Sequence, residues 1–240
     1  MTDPYKHGRA RWAGTTRTPR RSGVLVAVAV LTACGGEVVE EPTDPRLQNP
    51  LLRASQFNET APRTFRVLFE TTNGDFVIEV HRDWAPIGAD RFYNLVKREW
   101  YDGVRFHRVL TDFMVQWGIH DEPYVNAIWQ DKLLADDPAT QSNTRGRVSF
   151  AKGGANSRTV QVFINYQDNP SLDERGFSPI GEVVEGMDVV DGLYAEYGEG
   201  PPRGEGIYQA MAMARGAEYY DEEFPELDRI VRATVAFTPP

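Results

Sequence analysis

The side chains best placed to do chemistry are Arg108 and Gln116, in the stretch Val-Arg-Phe-His-Arg-Val-Leu-Thr-Asp-Phe-Met-Val-Gln-Trp-Gly over residues 104–118. Arg108 is a cation at any relevant pH, Gln116 both donates and accepts hydrogen bonds, and Phe113 and Met114 add an apolar wall. No evident nucleophile stands among them. Such a set can stabilise a charge or a lone pair in a bound molecule. It has little with which to break a bond. Taken singly, an arginine on a strand is usually a solvated or ion-paired face and Gln116 a surface residue, so the joint spacing carries the reading. Val104 to Leu110 reads as one strand and Phe113 to Trp117 as another, with a tight corner between them.

A sheet must hold these residues. Phe65, Val67 and Phe69 alternate with Arg66, Leu68 and Glu70, and Phe76, Ile78 and Val80 alternate with Val77 and Glu79. Asn73-Gly74 between the two runs predicts a β-hairpin with a type I′ turn, whose central residues need positive φ. Pro86 opens a helix at its first turn; Ile87, Phe92, Leu95 and Val96 recur at helical spacing, and the helix ends by Trp100. Asp102-Gly103 turns the chain into the Arg108 strand. Further strands are expected over 146–151, 160–164, 180–184 and 230–237, a second helix over 186–194, and helix again over 207–222. Residues 119–145 are long and acidic, a surface excursion near the rim of the site with a short helix inside 125–134. Lys152-Gly153-Gly154-Ala155-Asn156-Ser157 is a glycine-rich loop, but no Gly-Lys-Ser/Thr follows to make it a phosphate cradle.

The stretch resembles the signature of the cyclophilins, a family of peptidyl-prolyl cis-trans isomerases, whose pattern F-H-R-x-x-x-x-F-M-x-Q-x-G stands here as Phe106, His107, Arg108, Phe113, Met114, Gln116 and Gly118. A second family stretch, A-N-A-G-P-N-x-x-x-S-Q-F-F, is matched at Ala151, Gly154, Asn156, Gln161 and Phe163, and departed from at Lys152, Gly153, Ala155, Val160 and Val162. The family's Trp-Leu-Asp reads Ser171-Leu172-Asp173, and Gly176-Phe177 stands where it carries a histidine, so cyclosporin binding is not carried over. The resemblance runs over 64–195 and resumes at the last strand, leaving 196–227 as an expansion. It implies a mainly β fold, a closed eight-stranded antiparallel barrel capped by two helices, in keeping with the way closure removes open sheet edges. It also implies Arg108 and Gln116 as catalytic residues, and Phe113, Met114, Ala151, Lys152, Gly153, Gln161, Phe163, Leu172 and Phe177 as the substrate site, with backbone groups of the 151–153 loop holding the peptide.

The chemistry is consistent with that inventory. An X-Pro amide turns slowly, over a barrier of ~20 kcal/mol, because resonance stiffens its C–N bond. A catalyst need only favour the twisted state, in which the nitrogen regains a lone pair that a guanidinium can meet. The expected function is therefore isomerisation of X-Pro bonds in proline-containing polypeptides. The alternative is a proline-peptide binding module or chaperone without useful turnover. No cofactor is expected, nor a metal, since His81 and His120 sit apart from any cysteine or paired histidine. The chain is expected to act as a monomer.

The net charge of −9 and pI of about 5.0 exclude a nucleic-acid partner, whose phosphates would be repelled. Residues 1–33 are basic by contrast: Lys6, Arg9, Arg11, Arg17, Arg20 and Arg21 against Asp3 give +5, leaving −14 on the remainder. They lead into Val24 to Leu31, an apolar run too short to span a bilayer, which takes roughly 20 residues. A basic region followed by a short apolar one reads as a secretory signal peptide, and Leu31-Thr32-Ala33-Cys34 resembles the bacterial lipobox. Cys34 is the only cysteine, so no intramolecular disulfide can form and lipidation is its expected fate. Residues 34–62, rich in Pro, Gly and acid, read as a flexible tether holding the 63–240 domain off a membrane. The expected location is the bacterial envelope, on the outer membrane facing the periplasm.

Overall fold

The computed structural model describes residues 48–236. The alternation at the start of the domain forms β1 (Thr64–Thr71) and β2 (Gly74–His81), which pair antiparallel from Thr64↔His81 to Thr71↔Gly74. Their inward rings stack at Phe69–Phe76, 4.9 Å between centroids. The two-residue turn is Thr72-Asn73, one residue earlier than the Asn73-Gly74 expected, and only Gly74, at φ 124°, takes positive φ. Local bonds fix this choice: the Thr71 hydroxyl donates to the Gly74 carbonyl at 2.5 Å, and the Asn73 amide donates to the Val189 carbonyl at 2.9 Å.

The chain continues as α1 (Pro86–Lys97), β3 (Arg108–Leu110), β4 (Met114–Trp117), α2 (Pro123–Trp129), β5 (Arg147–Phe150), β6 (Val162–Asn165), α3 (Pro170–Glu174), β7 (Pro179–Glu185), α4 (Met187–Asp191), α5 (Gln209–Arg215), α6 (Ala217–Glu223) and β8 (Ile230–Ala236). The sheet order is β3-β4-β6-β5-β7-β2-β1-β8, with antiparallel neighbours throughout. The eight antiparallel strands are as expected; closure is not. The ladder is open between β3 and β8, because β3 is only three residues long. The residues before it bridge the seam instead: Phe106 N–H donates to Asp228 at 3.0 Å and Ile230 N–H to Val104 at 2.9 Å. Of the two capping helices, α1 covers its length, but the second is a single turn, α4. The expected 207–222 helix breaks into α5 and α6 at Gly216, whose φ of 60° leaves the helical region.

The main core gathers Phe65, Val67 and Phe69 of β1, Phe76, Ile78 and Val80 of β2, Phe92 and Leu95 of α1, and Phe106 and Trp117, all at most 1% exposed. A separate small core lies in the expansion: Ile207, Ala212, Tyr219, Tyr220, Phe224 and Leu227 close on Ile119. Arg105 joins this unit to the barrel, pairing with Asp121 and Asp221 at 2.5 Å each, with its guanidinium 5.0 Å from the Tyr220 ring. The 119–145 segment is more than a surface excursion. Its Val125 and Trp129 are buried, and Trp129 packs on Trp100 at 4.9 Å.

The tether expected over 34–62 overlaps residues that the structure describes. From residue 48 onward the chain lies against the domain: Leu51, Phe57 and Ala61 are buried in the main core. Trp129 donates to the Leu51 carbonyl at 2.7 Å, and Glu59 pairs with Lys97 at 2.6 Å. Cys34, the signal peptide expected over 1–33 and the first part of the expected tether lie outside the described residues. Among the described residues, no helix is long and apolar enough to cross a membrane.

Candidate functional site

Strand register assembles the site. Side chains alternate across a strand, so on β4 Val115 and Trp117 enter the main core while Met114 and Gln116 face the other way. Arg108 of β3 is paired with Gln116, and Gln116 with Phe163 of β6. The three therefore stand abreast on one face. The Gly118 that closes the motif is required by the same packing. At φ 113°, a Cβ there would lie 2.7 Å from Gln161 Cα and from the Val160 carbonyl.

Met114, Phe163, Leu172 and Phe177 form a small apolar floor, with Phe113 and Ala151 at its edge and the Phe163 and Phe177 rings edge to face at 5.8 Å. Asn169, which precedes α3, donates to the Phe113 carbonyl at 3.0 Å, fixing Leu172 against the corner between β3 and β4. The resulting groove has a volume of about 460 Å³ and is lined by every residue expected from sequence: Arg108, Phe113, Met114, Gln116, Ala151, Lys152, Gly153, Gln161, Phe163, Leu172 and Phe177.

Three of these are more constrained than sequence suggested. Gln116 is 7% exposed and engaged at both ends, accepting from Arg108 Nη1 at 3.2 Å and donating to Gln161 at 2.7 Å. It connects Arg108 to the loop wall. The Lys152 ammonium does not point free into the groove: it donates to Asp136 at 2.9 Å and to the Gly176 carbonyl at 2.7 Å. Arg108 itself is gripped by a residue the sequence reading did not single out. Glu199 accepts from its Nε at 2.9 Å and its Nη2 at 2.5 Å. Burial alone would push the Glu199 carboxyl up, but the hydrogen bonds and charge of Arg108, with Arg203 and the Gly200 N–H, outweigh it and hold the group below its ordinary 4.5.

His107 behind Arg108 is 1% exposed and its ring nitrogens find no hydrogen-bond partner among the described residues. Burial, with the neighbouring Arg108 charge, lowers its pKa to about 3. It is a neutral packing residue and not a base. Sequence reasoning also missed Asp137. Its carboxylate accepts from the Ile87 and Gly88 N–H groups at 2.9 Å each, satisfying the start of α1, and pairs with Arg158 at 2.9 Å. Ser157, Thr159, Arg175, Arg203 and Gln209 complete the lining. Among the described residues, no group of three or more His, Cys, Asp or Glu is arranged to hold a metal ion.

Known proteins resemble the chain over this region. A family model described as cyclophilin type peptidyl-prolyl cis-trans isomerase/CLD matches residues 66–206. A peptidyl-prolyl cis-trans isomerase of Acinetobacter baylyi is 35% identical over 130 residues, covering 52% of this chain and 69% of that protein. Peptidyl-prolyl cis-trans isomerase B of Escherichia coli is 35% identical over 133 residues, 52% of this chain and 81% of that one. In fold, the crystal structure of a Cryptosporidium parvum cyclophilin type isomerase aligns with a TM-score of 0.52 at 18% identity, over 73% of this chain and 99% of that one.

Proposed function

Because the chain belongs to the cyclophilin-type peptidyl-prolyl cis-trans isomerase family and is itself such an isomerase, we propose that Arg108 is the group that lowers its rotational barrier. The observation that carries this is the placement of a guanidinium, held by Gln116 and Glu199, on the wall of a groove with an apolar floor. The pyrrolidine ring of a bound proline sits on Met114, Phe163, Leu172 and Phe177. The amide then lies beside Arg108. As the C–N bond twists, its nitrogen gains a lone pair and accepts from an Arg108 N–H. That bond exists only in the twisted state, so it speeds rotation without tightening ground-state binding. Shortening tens of seconds to a millisecond takes roughly 6–7 kcal/mol, which a preorganised donor and an orienting pocket can supply together. Gln116 acts on the fork of Arg108, and the backbone of 151–153 is proposed to hold the peptide chain. A protease-coupled assay on a proline tetrapeptide tests the assignment. Wild type turns over, Arg108→Ala loses most of its kcat/KM while still folded, and a folded Arg108→Ala protein at the wild-type rate ends it.

The clients we propose are exported chains folding in a bacterial envelope. The support is the basic leader, the short apolar run and Cys34 after Leu31-Thr32-Ala33. A diacylated cysteine would hold the chain firmly, since each buried CH₂ contributes about 0.8 kcal/mol and two chains suffice. Residues 35–47 would then reach at most about 45 Å from an outer-membrane anchor into the periplasm. Cys34→Ala should move the protein from the membrane to the soluble fraction or leave it unprocessed. Mass spectrometry finding an unmodified Cys34 in an intact N-terminus would end the anchor.

A further inference from the structure

Glu199 lies in the expansion, 91 residues after Arg108 in sequence, yet it makes the closest contacts Arg108 has. The pair is largely shielded, with side-chain exposures of 15% for Arg108 and 22% for Glu199. We propose that Glu199 is a positioning residue of the isomerase site: it grips the Nε/Nη2 edge of Arg108 and aims the remaining Nη2 N–H into the groove. This rests on Arg108 being the catalytic cation.

Donor accounting supports it. A guanidinium has five N–H groups in a fixed plane. Glu199 takes one on Nε and one on Nη2, Nη1 donates to Gln116 at 3.2 Å and to Met114 Sδ at 3.8 Å, and one N–H on Nη2 is left. The carboxylate thus occupies the Nε/Nη2 edge and leaves the second Nη2 N–H for a substrate nitrogen. Without Glu199, a long side chain on the three-residue edge strand β3 would keep the 3.2 Å bond to Gln116, the weak contact to Met114 Sδ at 3.8 Å and the Phe113 ring at 5.7 Å. Its rotamers would then spread, and a donor that must be aimed loses rate with each fraction of an ångström.

The loop carrying Glu199 is itself built tightly. Gly206 N–H donates to the Glu199 carbonyl at 3.0 Å, and Gly200 N–H to its carboxylate at 3.2 Å. A Cβ on Gly200 would overlap the Ile207 carbonyl, and one on Gly204 the Glu199 carbonyl, so the turn folds this closely only with glycine there. Ile207, 4% exposed in the small core, anchors its end. The carboxylate is therefore presented from a fixed backbone, as the orienting partner of a catalytic group must be.

The test is a double-variant cycle read by tetrapeptide isomerisation, peptide affinity and melting temperature. Glu199→Ala should lower kcat/KM on the order of 10-fold, with peptide affinity and Tm near wild type. Glu199→Gln, which keeps the shape and one acceptor, should fall between. In an Arg108→Ala background, Glu199→Ala should change nothing further, because the residue acts through Arg108. The Arg108 Nε–H resonance should exchange slowly in wild type and fast in Glu199→Gln. A Glu199→Ala protein as fast as wild type or faster overturns the proposal, the latter making the loop a lock on Arg108. So does an equal loss in the Arg108→Ala background. Should Glu199→Ala fail to fold, Glu199→Gln decides by the same rate. Failure of the underlying assignment is distinguishable: there Arg108→Ala alone isomerises at the wild-type rate.

Discussion

The groove has two walls of different construction. One is strand: Arg108, Gln116 and Phe163 stand abreast because β3, β4 and β6 are in register, and the main core lies directly behind them. The other is loop: Glu199 and Arg203 come from the expansion, which rests on its own small core and joins the barrel through Arg105, Asp121 and Asp221. The strand wall supplies the cation and, in Met114 and Phe163, half of the apolar floor. The loop wall decides where that cation points. A fold can therefore keep its chemistry on rigid, regular elements while an appended unit adjusts it, and the two can be perturbed separately.

The largest contrast should appear in stability. Arg158 and Asp137 are 3% and 1% exposed and pair beside the start of α1. Arg158→Ala leaves the buried Asp137 carboxylate without its cation, held only by the Ile87 and Gly88 N–H groups, and should cost about 3–5 kcal/mol in denaturant unfolding. In the expansion, Arg215 pairs with Glu218, Glu222 and Glu223, whose side chains are 48–66% exposed. Arg215→Ala should leave denaturant unfolding close to wild type, because solvent screens such exposed pairs. Equal losses would mean that the expansion is as integral to the fold as the barrel.

Next is the cation itself. Arg108→Ala should remove about 2–4 kcal/mol of transition-state stabilisation, as loss of one preorganised donor does, with peptide affinity little changed. Arg108→Lys should also be poor, since a point charge replaces a planar fork and cannot hold Glu199 by two parallel bonds. A drop in Tm that accounts for the whole loss of activity would make the residue structural instead.

Acid should then separate the histidines from the rest. Burial lowers His107 to about 3 and His120 to about 4, from 6.5. Their stabilisation of the fold is therefore present above the unfolded value and lost as pH falls, because the unfolded chain takes a proton that the folded one refuses. Each should steepen the loss by about 1.4 kcal/mol per pH unit below 6.5, ending near its folded value. His107→Phe should flatten this limb; an unchanged slope in urea titrations across pH 4–6.5 would mean that His107 does not control it.

What could be read in the sequence follows the same division. The strand wall was legible because Phe106 to Gly118 carry the pattern of a known family, although the strand expected over 104–110 forms only over Arg108–Leu110. The alternation of Phe65–Phe69 and Phe76–Val80 gave the hairpin, because successive side chains on a strand point to opposite faces. Its turn was misplaced by one residue because contacts from Val189, more than a hundred positions away, bear on it. Glu199 carried no such signal: it stands in a Gly/Pro loop without periodicity, and only the tertiary path of the chain brings it to Arg108. The docking of Leu51, Phe57 and Ala61 was hidden by flanking Pro and acid, which resemble a linker in composition. Closure of the barrel was expected because a strand-rich sheet avoids edges. Here backbone bonds from Val104 and Phe106 to the approach of β8 cover the edge without a continuous ladder.

The smallest expected effect tests how the loop wall does its work. Glu199 has two cationic neighbours, Arg108 within bonding distance and Arg203 at 3.6 Å, but Arg203 is 76% exposed. A charge so open to solvent is screened, and such a pair contributes at most about 1 kcal/mol. The glycine-tight turn, not Arg203, is what holds the Glu199 backbone in place. Arg203→Ala should therefore lower kcat/KM by less than about threefold, roughly half a kcal/mol, and leave the slow exchange of the Arg108 Nε–H intact. Gly204→Ala acts on the turn itself by pushing the Glu199 carbonyl aside, and should cost more than removing the charge does. If Arg203→Ala matched Glu199→Ala in rate and in Nε–H exchange, the loop wall would be organised by its charges and not by its backbone.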